Sequence, residues 1–236
     1  MNRRRKRKLK YKEPTTPYTV FYPHSLDPSY RKWKDHITVV SIDPGKINLA
    51  IRVETRPLTK NYEKVISHLF ERVNIDYLYK KHNDCSFYDT IIKYLDKYKD
   101  LFLNCHVIIM EKQLSFNRVE ILKLSQHILT YFMITLKDAP QLPLIVELDA
   151  TMKTRCLNAP LKMKGKEVKK WAIEKAIEIL KKRKDEQSLQ IMYITKKGNK
   201  ELELRSKSDD VADTVVMIEA FCRIMGWPTT ENIYDE

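Results

Sequence analysis

From residue 37 onward, short β-branched runs alternate with longer stretches that carry apolar residues at helical spacing. Ile37-Thr-Val-Val-Ser-Ile-Asp43 predicts a buried strand, Pro44-Gly45 a turn, and Ile47 to Thr55 a second strand. A third strand falls within Tyr62 to Val73. Phe87 to Leu103 places Phe87, Ile91, Ile92, Leu95, Tyr98 and Phe102 along one helix face. Val107 to Met110 is another buried strand, ending at Glu111; Val119 to Leu136 is a long helix and Leu142 to Leu148 a fifth strand. Glu167 to Lys184 predicts a helix with a basic outer face, and Ser208 to Met225 a last helix closed by Gly226 and Pro228. This order predicts an α/β layer fold: a mixed five-stranded sheet flanked by helices.

Residues 1–36 break the pattern. A basic block is followed by Pro14, Pro17, Pro23 and Pro28, which cannot propagate a helix or a central strand. The expected organisation is a basic, Pro-rich tail and linker over residues 1–36, one folded domain over 37–228, and a short tail over 229–236. Tyr18, Phe21, Tyr22, Tyr30 and Trp33 are expected to pack on that domain, with a nucleic-acid-facing role as the alternative.

At 236 residues and 43% hydrophobic content, the chain is long and apolar enough for one real core. It has no run of 18 apolar residues, which excludes a transmembrane helix, and no apolar stretch after the basic N-terminus that would make a secretory signal. The four cysteines are far apart, the expectation for free thiols in a reducing compartment. The net charge of +13 is concentrated. Residues 3–12 hold eight basic side chains and no acid, and residues 153–207 hold 17 against 7. Two such regions favour a polyanion, although any single lysine run can be a solvated face.

The carboxylates are sharper evidence. Asp43 and Glu111 each close an otherwise apolar strand, where a charge is costly unless paired or bound to a cation. Asp210 and Asp213 are three apart in the last helix and share the face continued by Thr214, Met217 and Phe221, so they point towards the sheet. Asp209 lies off that stripe and suits the helix start. Singly, each acid can be a turn residue, a salt-bridge partner or a helix-start acid. Together they suit hard divalent cations such as Mg²⁺, two of which can drive an in-line phosphodiester displacement.

Three motifs in order carry a resemblance. Ser41-Ile-Asp-Pro-Gly45 resembles the first strand of RuvC-type Holliday junction resolvases, Ile108-Ile-Met-Glu-Lys-Gln113 their strand ending in Glu, and Lys207-Ser-Asp-Asp-Val-Ala-Asp213 their C-terminal helix. Order and spacing look most like the poxviral branch, across residues 37–226. The resemblance implies an RNase H-like fold and a homodimer that nicks four-way DNA junctions in symmetric pairs, leaving 5′-phosphate and 3′-hydroxyl ends. It implies two Mg²⁺ ions, replaceable by Mn²⁺, held by Asp43, Glu111, Asp210 and Asp213. It also implies a lysine after the fifth strand, a place that Lys153 fits, with Lys207 and Arg155 as neighbours for the same role. A poxvirus-like enzyme would work on recombination intermediates and viral concatemers in the host cytoplasm, with no membrane involvement. Another RNase H-like nuclease (a transposase or a hybrid hydrolase) and a nonenzymatic DNA-binding module stay open as alternatives.

Overall fold

A computed structural model describes residues 17–22, 33, 35–59, 64–84, 86–113, 119–195 and 202–231. Its elements begin with β1 (Tyr18–Tyr22), β2 (His36–Asp43), β3 (Leu49–Pro57) and β4 (Ile66–Val73), followed by α1 (Ile75–His82), α2 (Phe87–Asp96) and α3 (Lys99–Leu103). Next come β5 (Val107–Glu111), α4 (Val119–Thr135), β6 (Leu144–Leu148), α5 (Thr151–Cys156), α6 (Lys166–Lys182) and α7 (Glu186–Met192). The short hairpin β7 (Tyr193–Thr195) and β8 (Leu202–Leu204) leads into α8 (Ser208–Ile224). No helix among the described residues is long and apolar enough to cross a membrane.

The main sheet runs β1-β6-β5-β2-β3-β4. β2, β5 and β6 are mutually parallel, whereas β3 and β4 follow β2 as an antiparallel meander. The sheet therefore has six strands where five were expected. The addition is β1, which pairs antiparallel with β6, Tyr18 opposite Leu148. Its position at the sheet edge is compatible with prolines on both sides. The expected packing of the early aromatics is seen for Tyr18, whose ring meets Phe221 edge-on at 5.7 Å, and for Trp33, which meets His106 at 5.3 Å and Trp227 at 5.7 Å. Tyr30 lies outside the described residues. The helix expected over Phe87 to Leu103 is two, α2 and α3. Tyr94 and Tyr98, on either side of the break, both donate to Glu71 Oε1, at 2.5 and 2.6 Å.

Alternation along the strands sorts side chains between two cores. Val40, Ile42, Ile108 and Met110 pack with α2 and α4 on one face. Ile37, Val39, Val107 and Ile109 pack with α6 and α8 on the other. By the same parity, Asp43 and Glu111 belong to the α8 face. Helix α8 is buried almost all round, as a helix sandwiched between a sheet and another helix must be.

β3 inserts a polar stripe into the α8-side core. Arg52, Glu54 and Arg56 are all essentially inaccessible to solvent. Glu54 accepts from Arg52 Nε at 2.6 Å and from Arg183 Nη1, just beyond α6, at 2.8 Å. Arg183 and Arg56 both reach Glu219 on α8, which also accepts from the Thr230 amide at 3.0 Å. Arg52 continues to Asp185 and Ser188, each at 3.0 Å. Three guanidinium groups thus meet three carboxylates, and every charge has a partner, the condition under which buried ions are tolerated. Burial alone would raise Glu54, but Arg183, Arg52 and Arg56 bring it down to about 2.

Candidate active site

The parallel arrangement brings the C-terminal ends of β2, β5 and β6 to one sheet edge, and each end contributes to a single cluster. β2 ends at Asp43, after which Pro44-Gly45 reverses the chain into β3. A side chain at Gly45 would put a Cβ 2.6 Å from the Asn48 carbonyl oxygen, so only glycine permits this turn. β5 ends at Glu111, and the Lys112 amide is held to the Leu148 carbonyl at 2.8 Å. After β6, Asp149 Oδ1 accepts from the Thr151 amide at 2.9 Å and from its hydroxyl at 2.8 Å, which starts α5 at once and aims Lys153 inward. Across the edge, the Ser208 hydroxyl donates to the carbonyls of Arg205 (2.7 Å) and Met192 (3.0 Å), fixing the start of α8.

Carboxylate oxygens of Asp43, Glu111 and Asp213 all lie within 4.8 Å of one another. Lys153 enters this group: its Nζ is 2.5 Å from Glu111 Oε2 and 3.0 Å from Asp213 Oδ1. Four of the five residues expected from the sequence therefore meet. The fifth, Asp210, sits one turn earlier on α8, outside the trio, with Oδ2 buried, lacking any hydrogen bond and 4.0 Å from Arg72 Nη1. Of the three basic residues considered for the lysine's place, Lys153 is the one at the acids. Lys207 and Arg155 line separate clefts. Asp209 pairs with Lys169 on α6, off the site as its position in the helix implied.

Charge balance at the site is poor. Burial raises Asp43 well above the usual carboxylate range, and Glu111 and Asp213 push it further, with only Lys153 opposing them strongly. Burial also lifts Asp213 to about 6 against the pull of Lys153. Asp210 is brought to about 6 by burial and then by Asp209. Lys153 is held firmly protonated: burial would lower it, but Glu111, Asp213 and Asp43 outweigh that. One ammonium serves three carboxylates, and beside them one oxygen of Asp210 is orphaned. An all-oxygen, hard, electron-rich donor set of this kind fits Mg²⁺ or Mn²⁺ and does not suit a soft metal.

Basic side chains flank the acids. An open cleft of about 350 Å³ beside the start of α8 is lined by Arg72, Arg205 and Lys207 among others. Sequence reasoning missed Arg72 and Arg205. Arg72 is one of several polar residues alternating along an edge strand, and Arg205 lies in a turn between two short elements. Three histidines have structural partners away from the acids. His106 Nδ1 accepts from the Thr38 amide at 3.0 Å, His68 Nε2 bonds the Thr55 hydroxyl at 2.8 Å, and His127 stacks on Tyr88.

The structure resembles the crystal structure of the yeast mitochondrial Holliday junction resolvase Ydc2, with a TM-score of 0.50 and 16% identity, over 84% of this chain and 83% of that one. The fold is RNase H-like. Thermus thermophilus RuvC aligns with a TM-score of 0.42 at 15% identity, over 81% of this chain and 98% of that one. No protein-family model matches the chain. Two viral proteins are similar in sequence. Uncharacterized protein 170L of Invertebrate iridescent virus 6 is 25% identical over 231 residues, 79% of this chain and 89% of its own length. Uncharacterized protein 97L of Invertebrate iridescent virus 3 is 30% identical over 127 residues, 54% of this chain and 53% of its own length. These viral relatives come from iridescent viruses, which leaves the narrower poxviral likeness without support.

Proposed function

We propose that the protein is a divalent-metal-dependent endonuclease of the RuvC-like type that resolves four-way DNA junctions as a homodimer, making one nick from each of two sites. The observation that carries this reading is the convergence of Asp43, Glu111 and Asp213, from three separate elements, within 4.8 Å at the C-terminal edge of the parallel strands. The Ydc2-like fold and the three ordered motifs support it.

Asp43, Glu111 and Asp213 would hold the metal, with Asp210 beside them as the further ligand. Bound there, Mg²⁺ would activate a water and stabilise the leaving oxygen of a phosphodiester, giving 5′-phosphate and 3′-hydroxyl ends. Lys153 keeps the acids folded together by pairing with two of them, and its ammonium stabilises charge on a phosphate brought to the same place. Arg72, Arg205 and Lys207 hold the backbone on one side and leave the acids free for chemistry.

The test is incubation of the purified protein, with Mg²⁺ and then with EDTA, on a synthetic four-way junction and on a duplex of the same arm sequence. Paired nicks in the junction alone, lost with EDTA and with Asp43→Asn, support the proposal. With an RNA–DNA hybrid of that sequence included, cleavage of duplex or hybrid in preference to the junction would point to another RNase H-like nuclease. A second reading draws on the Lys153 bridge itself, since acids neutralised by a lysine can be purely structural: a nonenzymatic DNA-binding module. Asp210→Asn separates the two, because a nuclease would lose turnover while keeping junction affinity and a binding module would lose nothing.

A further inference from the structure

Between α5 and α6 the backbone turns three times through left-handed conformations: Asn158 at φ 53°, Lys162 at φ 70° and Gly165 at φ 48°. Asparagine and glycine adopt this region readily; lysine does so at a cost, and such residues persist where the surroundings enforce them. The Lys162 turn directly follows Leu161, which is 92% exposed, the most exposed large apolar side chain among the described residues. A solitary exposed leucine is ordinary. Three further observations set this one apart.

Its setting is strongly cationic. Arg155, Lys162, Lys164 and Lys166 are all exposed, and no acid occurs between Asp149 and Glu167. Its position is next to the chemistry. The loop folds back on α5, so that Leu161 and Met163 line a cleft with Thr151 and Thr154, while Lys153 between those threonines reaches the acids from the other side of the same helix. One helix, roughly 10 Å across, therefore separates the cleft from the acid cluster. Finally, the cleft is large, about 590 Å³, and mixes apolar lining (Ala159, Pro160, Met163) with hydrogen-bonding groups (Thr154, Asn158). Such a lining suits a flat heterocycle with polar edges.

We propose that Leu161 is a wedge that enters the base stack of branched DNA beside the branch point, with the surrounding cations on the flanking phosphates and the cleft receiving the displaced base. This rests on the reading of the chain as a junction nuclease. Apolar side chains inserted between base steps unstack and kink DNA at an energetic cost. Continuous duplex bears that cost in full, whereas a branch point has already lost part of its stacking. The wedge therefore sets a preference for branched over continuous DNA. A protein partner is a poorer match for an apolar tip ringed by cations, whereas a polyanion with an apolar interior complements both.

The test uses the full chain in EDTA, so that no cleavage intervenes, with four-way junctions carrying 2-aminopurine either at the branch point or in mid-arm. The wild type is expected to raise fluorescence at the branch point and not in the arm. Leu161→Ala removes most of that rise and lowers junction affinity towards that for duplex; Leu161→Met restores both. With Mg²⁺ added, Leu161→Ala lowers the junction-over-duplex cleavage ratio by about tenfold. An equal fluorescence rise with Leu161→Ala, or none from a wild type that still cuts junctions, overturns the wedge and leaves the nuclease reading standing. A wild type that neither binds nor cuts junctions overturns both. Loss of the rise together with a changed molar mass of the free variant in light scattering overturns the wedge in favour of a protein–protein contact.

Discussion

Lys153→Met removes the ammonium from the acid cluster and keeps most of the side chain's volume. Nζ lies 2.5 Å from Glu111 and 3.0 Å from Asp213, so at an effective dielectric constant of about 20 each attraction is about 6 kcal/mol before solvation is counted. Dehydration of the ammonium, whose side chain is 8% exposed, offsets much of this. Removing one partner of a buried pair generally costs about 3–5 kcal/mol, because the remaining charge is stranded. Glu111 and Asp213 are 17% and 24% exposed, which places the expected loss near the lower end, about 3 kcal/mol. For a chain of this size that is a fall in Tm of roughly 6–12 °C. The assay is thermal unfolding by circular dichroism in EDTA and in increasing Mg²⁺. The variant's stranded acids are free for a cation, so Mg²⁺ should recover much of its Tm and should raise the wild type's less, since there it competes with the ammonium. A variant that melts within about 1 °C of the wild type in EDTA, or that responds to Mg²⁺ no more than the wild type, would refute the view that Lys153 neutralises the cluster.

Other expectations follow from the same geometry. Gly45→Ala drives a Cβ onto the Asn48 carbonyl, so the turn behind Asp43 must shift; a loss of about 1–3 kcal/mol in denaturant melts should accompany a larger loss of cleavage. Arg205→Ala with Lys207→Ala should weaken DNA binding regardless of sequence and reduce the slope of log affinity against log salt by about 2, read by fluorescence anisotropy. Glu54 sits near 2 in the fold against an ordinary value of 4.5, so its contribution is complete above about pH 4.5 and is lost as pH falls towards 2. About 2 kcal/mol should disappear between pH 5 and pH 3 in urea melts, and Glu54→Gln should flatten that part of the profile. Burial pushes the Cys105 and Cys222 thiols up to about 12, so both should resist a thiol reagent until the protein unfolds.

What was legible in the sequence, and what was not, divides along a physical line. β2, β5 and α8 stand out because a buried β-branched run and a helical stripe are local patterns, and an acid closing such a run is visible without a structure. That Asp43 and Glu111 close buried strands was legible; that those strands lie side by side and parallel was not. Nor was the identity of Asp213 as the trio's third member, because Asp210 and Asp213 share one helix face and spacing cannot say which reaches the sheet. α5 is too short at six residues to show periodicity, yet it delivers Lys153. β1 owes its strand conformation to pairing with β6, a partner remote in sequence. Alternation identified β3, but Arg52-Val-Glu-Thr-Arg56 looks the same whether its polar face meets water or a reciprocal set of buried charges. Only α6 and α8, arriving much later in the chain with Arg183 and Glu219, decide that.

The antiparallel pairing of β1 with β6 has a further consequence for how the molecule meets a charged ligand. Tyr18 lies opposite Leu148, and the Asp149 amide bonds the Pro17 carbonyl at 3.2 Å, so the chain enters the fold at the rim that carries the acids, not at the opposite end of the sheet. Lys12 is five residues upstream of that anchor, and covalent geometry keeps it within about 18 Å of Pro17 whatever path the segment takes. Lys12, the last cation of the basic block at residues 3–12, is thereby tethered within that distance of the rim that carries the acids. A strand of five residues thus acts as a mooring: it fixes the point at which the N-terminal segment joins the sheet, beside the acids and not at the far end of the strands.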